Sequence, residues 1–270
     1  MSIANIIVSV DFGRSAASRV RLAADLAGRF DATLTGVAAR KIVMSAAAGD
    51  LAAAQDAYEE ERAKLAADVR KARDVFDQNA GEAPRTSWRQ AEAGSEAYLI
   101  RLARSSDLIV LGRDPLQDGA GAMAVDPGGV LMEAGRPVLV VPPGIDRLKA
   151  RQVVIAWKDS PEARRAVTAA LPFITHAKEV FVLSAGGEAR FQGAEEVAEH
   201  LAQHRAHVTT HLLDVPGHDV ADELLRFTAR QTADLIVMGG YGHSRLREWL
   251  FGGVTRTILE VAPVCCLMSH

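Results

Sequence analysis

Apolar residues along this chain fall into short runs, separated by longer stretches in which they recur at helical spacing, and the two patterns alternate. The runs Ile6–Val10, Ala32–Val37, Thr86–Ala91, Leu108–Leu111 and Val138–Val141 have the length of strands. Between them, Ser15–Phe30 and Ala46–Gln78 read as helices, and further helical patterns flank the Leu108 run. Such alternation predicts βαβ units and a parallel sheet covered by helices on both faces.

The pattern is written twice. "SDLIVLGR" (Ser106–Arg113) returns as "ADLIVMGG" (Ala233–Gly240), and "NIIVSVD" (Asn5–Asp11) matches "QVVIAWK" (Gln152–Lys158). Each copy continues into a glycine pair followed by Val, then a helix, a proline and a strand, in "PGGVLMEAGRPVLVVP" from Pro127 and in "FGGVTRTILEVAPVCCLMS" from Phe251. The order of elements is shared, so the chain reads as a tandem duplication. The prolines, glycine and charges of "PPGIDRLKA" (Pro142–Ala150) make a linker, which divides the chain into units 1–145 and 146–270. In the second copy Ser160-Pro161-Glu162 opens a helix as N-cap, first-turn proline and first-turn acid. The second helical region of the first copy, Ala46–Phe76, is far longer than its counterpart Gly193–Arg205; its alternating charges describe a solvated face, with a partner-binding surface as the alternative.

Composition narrows the function classes. Over 270 residues the formal net charge is -3 and the hydrophobic fraction 49%, which leaves no broad field to recruit nucleic acid or an anionic membrane. The first residues lack a basic segment, and the run Ile6–Val10 meets Asp11 too early for a signal peptide or a membrane span, so a cytoplasmic protein is expected. Cys265 and Cys266 are adjacent in an apolar run, which is no disulfide framework and reads as two small residues of a buried strand.

Candidate chemistry gathers in "GGYGHSRLREWLFGGVTRTIL" (Gly239–Leu259), which follows the strand-like run Leu235–Met238. Glycine costs backbone entropy and adds no packing, so this density of it answers a geometric demand. Ligands of open parallel sheets sit beyond the carboxyl ends of the strands, where a helix beginning there offers unpaired N–H groups and its positive dipole end. On that reading Gly239, Gly240 and Gly242 let the chain leave the strand, and Ser244–Phe251 forms a short helix docked by Leu246, Trp249 and Leu250. Gly252, Gly253, Val254 and Thr255 then open the final helix toward an anion, with His243 near it and Arg245, Arg247 and Arg256 within reach. The structural alternative is two tight turns. Neither a P-loop nor a G-x-G-x-x-G fingerprint after a first strand is present.

The spacing Gly239-x2-Gly242-x9-Gly252, after "DLIVMG" and before Val254-Thr255, resembles the nucleotide-binding motif of the universal stress protein family, and the resemblance spans the chain as two tandem family domains. It implies a five-stranded parallel α/β domain in each half, of Rossmann-like type, and ATP held by that loop, with Mg²⁺ where hydrolysis occurs. It also implies a regulatory role in stress with little or no turnover, and pairing of final strands. The last would bring Val138–Val141 to Val264–Met268 within one chain, an intramolecular pseudo-dimer, with a further homodimer and a protein partner open. The departures are specific. Gly253 stands where ATP-binding members carry Ser or Thr, and Lys158 stands at the family's acid, with Asp159 one step away. The first copy keeps that acid as Asp11 but carries Arg113-Asp114-Pro115 in the loop and Leu131 in place of Thr255.

Other constellations are weaker. His200 and His204 are four apart on an expected helix, with His207 and His211 beyond, and read as a solvated face in preference to a zinc site. No catalytic residue emerges: Ser184, Ser244 and Ser269 lie in no nucleophile elbow. The sequence therefore points to nucleotide binding, against a nucleotide-independent interaction scaffold and a slow ATP hydrolase.

Overall fold

The computed structural model describes residues 2–42, 51–113, 119–186, 189–213, 215–216, 219–241 and 253–270. Among the described residues ten strands form one sheet in the order β3-β2-β1-β4-β5-β10-β9-β6-β7-β8. The first five are β1 (Asn5–Ser9), β2 (Thr33–Ala39), β3 (Arg85–Ala91), β4 (Leu108–Gly112) and β5 (Val138–Val141). The others are β6 (Gln152–Ala156), β7 (Glu179–Ala185), β8 (Val208–Leu213), β9 (Leu235–Gly239) and β10 (Cys265–Ser269). Each half alone has the order 3-2-1-4-5 with every pairing parallel. The halves join where β5 meets β10 antiparallel, with Val138 opposite Met268, Leu139 opposite Leu267 and Val140 opposite Cys266. The final strands thus meet within the chain, as the family resemblance implies. Because that single pair is antiparallel, the carboxyl ends of the two sets of strands lie on opposite edges of the sheet.

Strand alternation divides the core. On one face, Ile6, Val8, Val153, Val237, Cys265 and Leu267 point at α1 (Ala16–Phe30), α2 (Leu51–Asn79), α5 (Pro161–Ile174) and α6 (Ala194–Gln203). On the other, Ile7, Ile109, Val140, Ile236, Cys266 and Met268 meet α3 (Ser95–Ala103), α4 (Pro127–Glu133), α7 (Val220–Arg230) and α8 (Val254–Val261). The adjacent cysteines therefore serve two different cores. Coverage on both faces explains why the central strands read as continuous apolar runs.

Local signals act as their chemistry dictates. The Ser160 hydroxyl accepts the Ala163 N–H at 3.2 Å, with Pro161 in the first turn of α5. Strand β2 runs on to Ala39, beyond the expected Val37, because β3 supplies partners for its last residues, Ala38 with Gln90 and Ala39 with Ala91. The connection between β5 and β6 is pinned to the first half. Leu148 and Ala150 are buried, the Leu148 carbonyl accepts from Arg29, and Arg147 pairs with Glu82.

Candidate functional site

In this strand order the direction of winding reverses between the first and fourth strands of each half, and the crevice beyond their carboxyl ends is where open α/β sheets bind ligands. In the second half that crevice lies between β6 and β9. Trp157–Ser160 leave β6 there, and Gly240 and Tyr241 leave β9.

Of the residues singled out in the glycine stretch, Gly239, Gly240, Gly253, Val254 and Thr255 are described, whereas Gly242, His243, Gly252 and the expected helix Ser244–Phe251 lie outside the described residues. A Cβ on Gly239 would stand 2.6 Å from the Ala163 nitrogen, and one on Gly240 would stand 2.5 Å from Leu131 Cδ2. Protein packing thus accounts for both: Gly239 lets the end of β9 lie on the first turn of α5, and Gly240 lets it lie on α4. Tyr241 follows with φ of 55°, a left-handed conformation that costs a bulky residue of order 1–3 kcal/mol. Its amide donates to the Thr255 hydroxyl at 3.4 Å, and Thr255 is buried. The hydroxyl of Thr255, at the end of the helix expected to open toward an anion, therefore ties the strand exit to α8. Val254 packs against the second core face. Gly253 is the N-cap of α8 and offers no side-chain acceptor to the amides of the first turn.

The residues after β6 do not supply a buried acid. Asp159 is exposed and takes Arg164 at 2.6 Å, while its amide donates to Gln192 Oε1. Glu162, legible in the sequence only as a first-turn helix acid, is the carboxylate that does reach this edge. It is 14% exposed, lies against the Gly239 position, and keeps one buried oxygen without a hydrogen-bond partner among the described residues. Burial pushes its pKa up, but hydrogen bonds from its own amide and the Ser160 hydroxyl, with Arg165 and His270 nearby, outweigh that and hold it below the usual carboxylate value. His270 Nδ1 lies 3.0 Å from the Gly240 carbonyl, so the same edge carries an imidazole.

The first half fills its equivalent crevice with its own side chains. Asp11, the family acid, meets Arg19 Nη2 at 2.6 Å with both side chains 2% exposed, and its other oxygen accepts the Gly13 N–H. Arg19 Nε donates to the Ser9 carbonyl at 3.0 Å. A Cβ on Gly112 would stand 2.5 Å from Arg19 Nη1, so the guanidinium occupies the space that the glycine leaves at the end of β4. The phosphate end is self-satisfied too: the Asp126 carboxylate accepts the amides of Gly128 at 3.1 Å and Gly129 at 3.0 Å. With Asp126 as N-cap and Pro127 next, α4 takes the glycine pair into its first turn, whereas α8 begins only after Gly253. The paired motifs of the two copies thus start their helices at different points. Asp114 and Pro115 lie outside the described residues; Leu131 packs on Gly240 of the other half.

The family model described as "Universal stress protein family" matches residues 149–270. This second half belongs to the universal stress protein family. Over the whole chain the fold is similar to a universal stress protein from Archaeoglobus fulgidus, at 13% identity and a TM-score of 0.68, covering 97% of this chain and 94% of that one. It is also similar to a functionally unknown protein from Pseudomonas aeruginosa, at 16% identity and a TM-score of 0.54, covering 98% of this chain and 92% of that one. No curated protein matches the sequence.

Within the universal stress protein half, His200 lies on α6 and His204 caps its end, their rings 4.9 Å apart edge to face. His211 sits instead on β8 against Phe181 and Phe227, where burial lowers its pKa. Among the described residues no three His, Cys, Asp or Glu side chains come together as a metal site, and no helix is long and apolar enough to cross a membrane.

Proposed function

We propose that the chain consists of two units, 1–145 and 146–270, and that the second binds an adenine nucleotide, ATP, as part of a regulatory role in the cytoplasm. One contrast carries the reading. The two halves share a helix opening at the same place in the fold, and in α4 the Asp126 carboxylate takes the first-turn amides, while in α8 the cap is Gly253 and no side chain among the described residues takes them. A phosphate is the external equivalent of that carboxylate. The glycine spacing that resembles the family's nucleotide loop supports ATP as its source, with Gly239, Gly240, Gly242, His243, Gly252, Gly253, Val254 and Thr255 forming the loop and Mg²⁺ accompanying the triphosphate. With no placed nucleophile or base among the described residues, the bound nucleotide serves as a signal and is turned over slowly or not at all.

Gly253→Asp tests this, because it gives α8 the cap that α4 already has. Titration calorimetry should show ATP binding by the wild type and none by the variant. Thermal unfolding should show the variant equally or more stable, since an Asp cap exceeds Gly by a few tenths of a kcal/mol. Unchanged binding in Gly253→Asp removes the nucleotide from α8. A second reading, a scaffold without nucleotide, is favoured by the protein contacts that explain Gly239 and Gly240. Mass spectrometry of the protein purified without added ligand separates the two, because the scaffold retains no nucleotide.

A further inference from the structure

The helix that opens the candidate site of the second half is packed against the first half. α4 and α8 lie together on one face of the sheet. Leu131, which stands in the first copy where Thr255 stands in the second, comes so close to Gly240 that a Cβ there would be 2.5 Å from its Cδ2, with Thr255 Cγ2 at 3.6 Å. One residue on, Tyr241 crosses between the halves: a Cβ on Gly128, in the first turn of α4, would stand 2.8 Å from its hydroxyl oxygen. The Tyr241 amide meanwhile donates to Thr255 Oγ1 at 3.4 Å, in the first turn of α8. Tyr241 makes both approaches from the left-handed backbone, φ 55°, that a bulky residue adopts only where its surroundings enforce it. At the far end of α8, Arg113 of the first half donates from Nη1 to the carbonyl of the C-cap residue Ala262 at 2.7 Å, a cation at the negative end of the helix dipole. The counterpart of Arg113 in the second copy is Gly240, which has no side chain to return that contact.

We infer that the first half, whose own crevice is filled by Arg19 and Asp126, serves as the positioning partner of the second: Gly128, Leu131 and Arg113 hold α8 from both ends and so fix where its first-turn amides point. The inference rests on the proposed binding of a nucleotide at α8, and adds that the affinity of that site is set from the other half of the chain. The three residues act through Tyr241, Gly240 and Ala262 rather than by touching the ligand. Amides already held in place bind an anion without first being ordered, so loosening either end of α8 lowers affinity. Leu131 gives up a hydroxyl at the start of its own helix, where Asp126 already takes the amides, and packs on the strand exit of the other copy instead.

The test is titration calorimetry of the full-length protein with ATP. Gly128→Ala puts a methyl group where the Tyr241 hydroxyl lies and leaves the Asp126 cap in place, both its oxygens 3.5 Å from the new carbon. It should weaken ATP binding about fivefold in the wild-type background and less than about twofold in a Tyr241→Phe background, where the oxygen it meets is gone. Arg113→Met should also weaken binding about fivefold, and Arg113→Lys, which keeps a cation at the end of α8, should retain most of the affinity. Circular dichroism and thermal midpoints of every variant establish that the comparison is between folded proteins. Equal losses from Gly128→Ala in the two backgrounds overturn the inference, because the effect then does not pass through Tyr241. An affinity unchanged by Gly128→Ala or by Arg113→Met overturns it too, while leaving the nucleotide at α8. A wild type that binds no ATP refutes the nucleotide itself and takes this inference with it.

Discussion

Replacing Arg19 by Met should destabilise the first half severely, although the change adds an apolar side chain to a buried place. Arg19 and Asp11 are each 2% exposed and 2.6 Å apart, so neither charge is compensated by water. Met removes the cation and leaves the Asp11 carboxylate with the Gly13 amide as its remaining hydrogen bond, and it orphans the Ser9 carbonyl that accepts from Nε. Breaking a buried pair at one end costs about 3–5 kcal/mol, of which an unsatisfied carbonyl accounts for about 1–3. Removing both ends is different: Asp11→Asn with Arg19→Met leaves no buried charge and should recover at least about 2 kcal/mol of the loss, since an isosteric apolar or neutral pair is often close to neutral. Urea unfolding of wild type, both single variants and the double variant, followed by circular dichroism, gives the cycle, provided the transitions are fitted as two domains if they separate. A cost below about 1 kcal/mol for Arg19→Met, or a double variant no better than the single, refutes the view that the guanidinium is held there by charge in a dry crevice.

Two further outcomes follow from the same geometry. Burial pushes the Cys265 thiol up to about 12 and Cys266 higher still, so both stay protonated in the fold while the unfolded chain ionises near the ordinary thiol value of about 8.5. A raised folded value gives stability that is intact below about 8.5 and lost as pH rises toward the folded values. Wild type should therefore lose up to about 1.4 kcal/mol more per pH unit than Cys266→Ala above about pH 9, and native protein should react slowly with thiol reagents; equal slopes or rapid labelling would contradict it. Asp126→Ala should cost about 0.5–2 kcal/mol through loss of the α4 cap, read as a lower urea midpoint, and no change in midpoint would show that the carboxylate does not hold those amides.

Much of the fold was legible because its signals are local. The runs at Leu108 and Leu235 are apolar throughout since both faces of the sheet are covered, and Ser160-Pro161 start α5 through contacts within one turn. The internal repeat supplied the order of elements along the chain, and the family resemblance implied pairing of the last strands; the order of strands across the sheet appeared only in the fold. The site was legible only as a set of residue types. That Gly239 and Gly240 face Ala163 and Leu131 depends on elements distant in sequence, and no periodicity encodes those approaches. Asp11 stood out as an acid at a strand end, yet its partner Arg19 read as one more helix residue, because a salt bridge in a crevice is made by how α1 crosses the sheet. Asp126 stands two residues before the glycine pair of its copy and Gly253 is the second glycine of the other, and only folding shows that Asp126 caps its own helix while Gly253 gives its helix no side-chain cap. Hydrophobic spacing decides which segments become strands and helices, since it acts over a turn or a pleat. Tertiary approach decides which polar groups are satisfied, since a hydrogen bond needs its partner within about 3 Å and the chain brings those partners together last.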